Sequence, residues 1–278
     1  MNASQTGSLP DPLEDDRRTL RSALEGASHL LACLDFDGTL APIVDDPDAA
    51  TPLAETERIL ERLAADPAVT TAIVSGRALA DVRDRIDGPS VYAGNHGLEL
   101  VREGSLAVHP IARKRATHVD TVCAVLETVL ESVANVRIEN KRLTGTVHLR
   151  SVPAASRPIV RRATREVVEW IGGDDLELST GKCILEIGPS IGWGKGDAVE
   201  LIAADLPPDT VVVYVGDDVT DESAFRAVEP DGIGVRVGTD EPTAASASVR
   251  SPADVATFLR WLYSDGLALL ESPPSATP

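Results

Sequence analysis

Short apolar runs recur along both ends of the chain, separated by segments whose apolar residues fall at helical spacing. LLACLDF at 30–36 reads as a buried strand, and LAETERILERLAA at 53–65 as an amphipathic helix. VTTAIV at 69–74 is a second strand, followed by a helix near 78–86 and a strand in VYAGN at 91–95. Toward the other end, a helix over 195–205 precedes the strand VVVYVG at 211–216. A helix over 221–228, the strand GIGVRVG at 232–238 and a helix over 252–263 complete the series. Strands that are apolar throughout, alternating with helices, predict a doubly wound α/β fold whose parallel sheet is covered on both faces.

The middle of the chain has another rhythm. One long helix over 113–133 carries Val119, Val122, Leu126, Val129, Leu130 and Val133 on a single face. Strands at 135–139 and 145–152, a helix over 156–171 and strands at 175–179 and 182–187 follow, joined by the short turns RLTG and TGK. This α-ββ-α-ββ pattern predicts a separate α/β domain inserted over 111–189, with the main domain formed by 17–110 and 190–270. The Pro/Ser/Asp-rich ends, 1–16 and 271–278, are expected to be disordered tails.

Composition narrows the partners more than the fold. A formal charge of −18 opposes binding to nucleic acid or to an anionic membrane surface. No apolar run approaches the roughly 18 residues of a membrane span, and the N-terminal segment lacks a secretory pattern, so the expected location is cytoplasmic. The three cysteines, Cys33, Cys123 and Cys183, sit in apolar stretches without metal-binding spacing and are expected to be buried reduced thiols. Lysine is scarce, with only Lys114, Lys141, Lys182 and Lys195 in the chain.

Candidate chemistry gathers at the carboxyl ends of the predicted parallel strands, where open α/β sheets bind ligands. LDFDGTLAPI places Asp35 at the end of the first strand, and Asp37 two residues later. The second strand runs into Ser75-Gly76-Arg77, which offers a hydroxyl, backbone N–H groups and a guanidinium to an anion. VVVYVG runs into Asp217-Asp218-Val219-Thr220-Asp221-Glu222, whose acids repel one another unless a cation compensates them. Lys195 opens a helix in GWGKGDA and suits the joint neutralisation of carboxylate and phosphate. Carboxylates and a phosphate dianion meet only around a cation, and all-oxygen ligands point to Mg²⁺. Aspartate is an established phosphoryl acceptor.

LDFDGT, Ser75-Gly76-Arg77, Lys195 and GDDVTDE, in this order, resemble the four motifs of the haloacid dehalogenase (HAD) superfamily. The resemblance implies a Rossmann-like HAD core with the inserted domain as its cap. It implies that Asp35 becomes phosphorylated, and that Asp37 protonates the leaving alcohol and then activates water. Ser75, Gly76, Arg77 and Lys195 would hold the phosphate. Asp35, the Asp37 carbonyl, Asp217 and Asp218 would bind Mg²⁺. YAGNHGLEL, IENKRLTGTVHLR, GKCILEIGP and GDDVTDESAF further resemble trehalose-6-phosphate phosphatases. That family resemblance implies sugar contacts from Glu139, Lys141, His148, Arg150, Lys182 and Glu186, with Asn95 and His96 near the entrance. Asn140 stands where many members carry an acid, and Phe36 where many carry tyrosine. Strand alternation independently puts Glu139 with Lys141, His148 with Arg150, and Lys182 with Glu186 on shared faces. The implied function is Mg²⁺-dependent hydrolysis of trehalose 6-phosphate. The alternatives are another sugar phosphate as substrate, a non-catalytic sugar-phosphate sensor, or a phosphatase module partnered with a trehalose-phosphate synthase.

Overall fold

The computed structural model describes residues 11–12, 18–181, 183–238 and 241–270. The expected tails therefore lie outside the described residues, except that Asp11–Pro12 form a short strand. The chain divides into two compact units, 1–106 with 193–278, and 107–192.

The larger unit begins with β1 (Asp11–Pro12), α1 (Arg18–Leu24), β2 (His29–Leu34), α2 (Ala54–Ala64), β3 (Val69–Val74), α3 (Leu79–Arg85), β4 (Val91–Gly94), β5 (Glu99–Arg102) and β6 (Ser105–Val108). The smaller unit contributes α4 (Pro110–Val129), β7 (Arg137–Asn140), β8 (Gly145–His148), α5 (Arg157–Gly172), β9 (Leu176–Gly181) and β10 (Ile184–Pro189). The larger unit resumes with α6 (Lys195–Ala203), β11 (Thr210–Gly216), α7 (Glu222–Val228), β12 (Ile233–Val237), β13 (Ala247–Val249) and α8 (Pro252–Trp261).

The large sheet has the order β1-β13-β12-β11-β2-β3-β4-β5-β6. Its centre is parallel, with β2 flanked by β11 and β3. Alternate residues of the buried strands feed two apolar layers. Leu30 and Leu34 pack with Leu60 and Leu63 of α2 and Leu259 of α8. Leu31 and Cys33 pack with Val199 and Ile202 of α6 and Phe225 of α7. Burial on both faces explains why these strands read as continuous apolar runs. One expectation was incomplete: beyond β4 the sheet adds β5, antiparallel to β4, and then β6.

The smaller unit is a four-stranded sheet in the order β7-β8-β10-β9. Val119, Val122 and Leu126 of α4 and Val160 and Val168 of α5 share a core with Val147, Leu185 and Ile187. The long helix starts at Pro110, three residues earlier than periodicity suggested, because proline is preorganised for a first helical turn and the His109 ring accepts from the Ala112 N–H. Cys33 and Cys123 are buried, whereas Cys183 is exposed at the β9–β10 turn, contrary to expectation.

Candidate active site

Asp35 directly follows β2, and its N–H donates to the Val215 carbonyl of the neighbouring strand. Its carboxylate is buried, with Oδ1 2.9 Å from Lys195 Nζ. Burial pushes the Asp35 carboxyl well above its usual range; Lys195 opposes that shift, and Asp221, Asp217 and Asp37 add to it. Lys195 sits in the first turn of α6, behind Gly194, whose N–H donates to Asp197. Burial works against the ammonium, but Asp221 and Asp35 outweigh it and hold Lys195 charged.

After Asp35 the chain curls tightly, with Leu40 and Ala41 N–H groups both donating to the Phe36 carbonyl. Gly38 has φ +77°, and a Cβ added there would lie 2.3 Å from Asp217 Cγ, so this turn requires glycine on both counts. Asp35, Asp217 and Asp221 each bring one carboxylate oxygen within 4.8 Å of the others. Asp221 is the residue that sequence reasoning passed over. It lay within the quoted acidic run, but nothing in that run showed which acid turns inward. Its Oδ1 accepts from Lys195 Nζ at 2.7 Å and from the Tyr214 hydroxyl at 2.5 Å, and its Oδ2 from the Asp218 N–H at 2.8 Å. The Asp218 carbonyl accepts from Arg236 Nη1 at 2.8 Å, and Asp218 caps the short turn that carries Asp221.

Arg77, expected to face phosphate, pairs here with carboxylates. Its Nε and Nη2 donate to the two oxygens of Asp37, each at 2.7 Å, while Nη1 donates to Asp81 and Nη2 also to the Pro47 carbonyl. In this structure the guanidinium orients Asp37, and it lies over the Phe36 ring. Burial opposes its charge, but the pairs with Asp37 and Asp81 keep it protonated.

Ser75 is buried, its Oγ accepting from the Arg77 N–H at 3.2 Å. Asn95, His96 and Gly97 all adopt left-handed backbone angles. The Asn95 N–H donates to the Arg77 carbonyl and the His96 N–H to the Ser75 carbonyl, which joins the two loops. The His96 ring lies so close to Gly76 that a Cβ there would meet it at 2.6 Å. Asn95 is wholly buried, with Nδ2 donating to Glu99 at 2.5 Å. It braces the loop from within.

In the smaller unit, His148 and Glu139 are hydrogen-bonded at 2.8 Å and Lys141 Nζ is 3.3 Å from Glu186 Oε1. Strand pairing sets Glu139 and Glu186 on either side of Thr146, whose buried hydroxyl has no hydrogen-bond partner among the described residues. Burial raises the Glu139 pKa, but the His148 hydrogen bond and Lys141 prevail and leave it lowered. Asn140 turns to Asp120, at 2.8 Å. Arg150 lies beyond the end of β8, in a turn, so strand alternation does not extend to it. Lys182 lies outside the described residues.

Donor chemistry fits Mg²⁺: the carboxylates of Asp35, Asp217 and Asp221 converge, two of them on the Lys195 ammonium, and each offers oxygen.

A doubly wound core with DxD at the end of a central strand, and a buried lysine against the first aspartate, has the HAD fold. Among solved structures, a HAD-superfamily phosphatase from Bacteroides thetaiotaomicron aligns over 87% of this chain and 96% of its own, at 15% identity and TM-score 0.54. A family model described as trehalose-phosphatase matches residues 33–254. The trehalose-phosphate phosphatase of Mycobacterium ulcerans is 40% identical over 234 residues, covering 81% of this chain. This chain spans 59% of that relative's length. Trehalose 6-phosphate phosphatase RA3 of Zea mays is 35% identical over 87% of this chain and 72% of its own. The Aspergillus fumigatus trehalose-6-phosphate phosphatase structure is 29% identical, covering 92% of this chain and 99% of its own, with TM-score 0.62. The chain belongs to the trehalose-phosphatase family. Among the described residues no helix is long and apolar enough to cross a membrane.

Proposed function

We propose that this chain hydrolyses trehalose 6-phosphate to trehalose and phosphate, using the Asp35 carboxylate as nucleophile. The observation that carries the reading is Asp35 itself: a buried carboxylate at the carboxyl end of a central parallel strand, held 2.9 Å from a buried lysine. Asp35 attacks phosphorus as the bond from phosphorus to the sugar oxygen breaks, and Asp37 gives that oxygen a proton. Water then attacks the phosphoaspartate, Asp37 takes its proton, and phosphate leaves with Asp35 restored. In this structure both Asp37 oxygens accept from Arg77, so the carboxyl exchanges Arg77 for the leaving oxygen when substrate arrives. Ser75 and Lys195 offer a hydroxyl and an ammonium to the phosphate oxygens. Asp35 and Asp217, with the Asp37 backbone carbonyl, would hold Mg²⁺, which supplies charge neutralisation between carboxylates and phosphate. Glu139, Lys141, His148 and Glu186 form a mixed donor and acceptor set suited to sugar hydroxyls. The −18 charge fits a cytoplasmic enzyme acting on a small metabolite.

The test is phosphate release across a panel of sugar phosphates, joined to acid quenching and mass spectrometry. Trehalose 6-phosphate should be preferred and the label should sit on Asp35, with neither turnover nor label in Asp35→Asn. Turnover by Asp35→Asn would refute the nucleophile, and preference for another sugar phosphate would refute the substrate.

A further inference from the structure

The reaction as described leaves Tyr214 without a role. Tyr214 stands on β11 in the run VVVYVG, and it is fully buried. A buried phenol needs a partner for its O–H. Here the partner is Asp221 Oδ1, at 2.5 Å, while the ring meets Phe225 edge-on at 5.6 Å. Gly216 makes room for this acid, since a Cβ there would lie 2.3 Å from Asp221 Cγ. Asp221 is thus lodged against glycine, with the phenol and Lys195 on one oxygen and a backbone N–H on the other.

Lys195 Nζ stands between two acids, 2.7 Å from Asp221 Oδ1 and 2.9 Å from Asp35 Oδ1. The two compete for one ammonium, and the phenol donates to the nearer competitor. A hydrogen bond to a charged acceptor is among the stronger kinds, and it delocalises and directs the charge that would otherwise draw the ammonium. We propose that Tyr214 is a positioning residue: by holding Asp221, it sets where Lys195 stands relative to Asp35 and so governs attack on the phosphorus. This rests on the reaction proposed above.

Tyr214→Phe keeps the ring and removes only the donor. Expected is a fall in kcat of roughly ten- to a hundredfold, with KM changed by less than about twofold. The factor should be the same with p-nitrophenyl phosphate, because the effect lies at the reacting atoms. In an Asp221→Asn background Tyr214→Phe should add little, as residues acting through one another are strongly non-additive. Incorporation of 3-fluorotyrosine at 214, a stronger donor in nearly the same volume, should also move kcat. A wild-type kcat in Tyr214→Phe accompanied only by lower thermal stability would overturn the proposal, as would equal losses with and without Asp221. Wild-type turnover of the sugar-phosphate panel tests the substrate reading separately. The p-nitrophenyl phosphate kinetics decide the role of Tyr214 whichever sugar is preferred.

Discussion

Gly38→Ala should uncouple metal binding from folding, and a second glycine supplies the control. Gly38 has φ +77°, and Gly104, in the β5–β6 turn, has φ +76°. Alanine at either position should cost about 1–2 kcal/mol of left-handed strain, which lowers Tm by about 2–8 °C in a chain of this size. The two sites differ in what the new methyl meets. At Gly104 nothing lies within 4 Å, whereas at Gly38 the Asp217 carboxylate is 2.3 Å away. Since carbon contacts settle at about 3.5 Å, Asp217 must retreat by about 1 Å. Mg²⁺ requires ligands at about 2.0–2.1 Å in near-octahedral order, and a misplacement of about 1 Å can cost 10²-fold. In the wild type, Mg²⁺ at about 100 times its Kd should add about 2.7 kcal/mol of stability. Thermal unfolding with and without Mg²⁺, and the Mg²⁺ concentration for half-maximal phosphate release, measure both effects. Both variants should lose similar Tm in EDTA, but only Gly38→Ala should lose the Mg²⁺-dependent gain and need about 10²-fold more metal. A wild-type Mg²⁺ requirement in Gly38→Ala would refute the placement of Asp217 beside the metal.

Arg236→Met removes the donor that holds the Asp218 carbonyl, so isothermal titration should show weaker Mg²⁺ binding; unchanged affinity would show that Arg236 does not support the metal site. Glu186→Ala should cost about 1.5–3 kcal/mol, or roughly ten- to a hundredfold, on trehalose 6-phosphate while sparing p-nitrophenyl phosphate; equal losses on both would remove it from sugar recognition. The Glu139 carboxyl has a lowered pKa in the fold, so its ionised form contributes stability above the unfolded value, near 4.5, which is lost as pH falls through the folded value. Denaturant titrations should therefore show Glu139→Gln less stable than wild type at pH 7, with the gap closing below pH 4.5; a gap that does not change with pH would show that charge is not its source.

Motifs at the ends of elements were legible from sequence. Asp35 and Lys195 lie at a strand end and a helix start, and the apolar runs beside them place both ends. Pairing across the sheet was not legible. Arg77 reads as an anion ligand until β3 is set beside β2, which brings its guanidinium to both oxygens of Asp37. The sequence places Asn95 near the entrance but does not show that the left-handed turn carries its amide inward to Glu99. The β5–β6 hairpin had a visible signal in Glu103-Gly104, but its outer strand is exposed and lacks the apolar run that marked the others.

The acidic run GDDVTDE shows how far charge counting reaches. Four acids in six residues demand compensation, yet the sequence does not say which acid needs which cation. The backbone divides them. A short helical turn over Val219–Asp221 swings Asp221 back under Gly216, where Lys195, Tyr214 and the Asp218 N–H satisfy it. Glu222 turns the other way, to the Ala244 N–H and the Thr243 hydroxyl. Asp217 stays at the strand end against Gly38, within reach of Asp35. Lys195 carries one positive charge and serves both Asp221 and Asp35. Asp35 and Asp217 thus bring carboxylate oxygens together, the kind of ligand the Mg²⁺ of the proposed reaction would use.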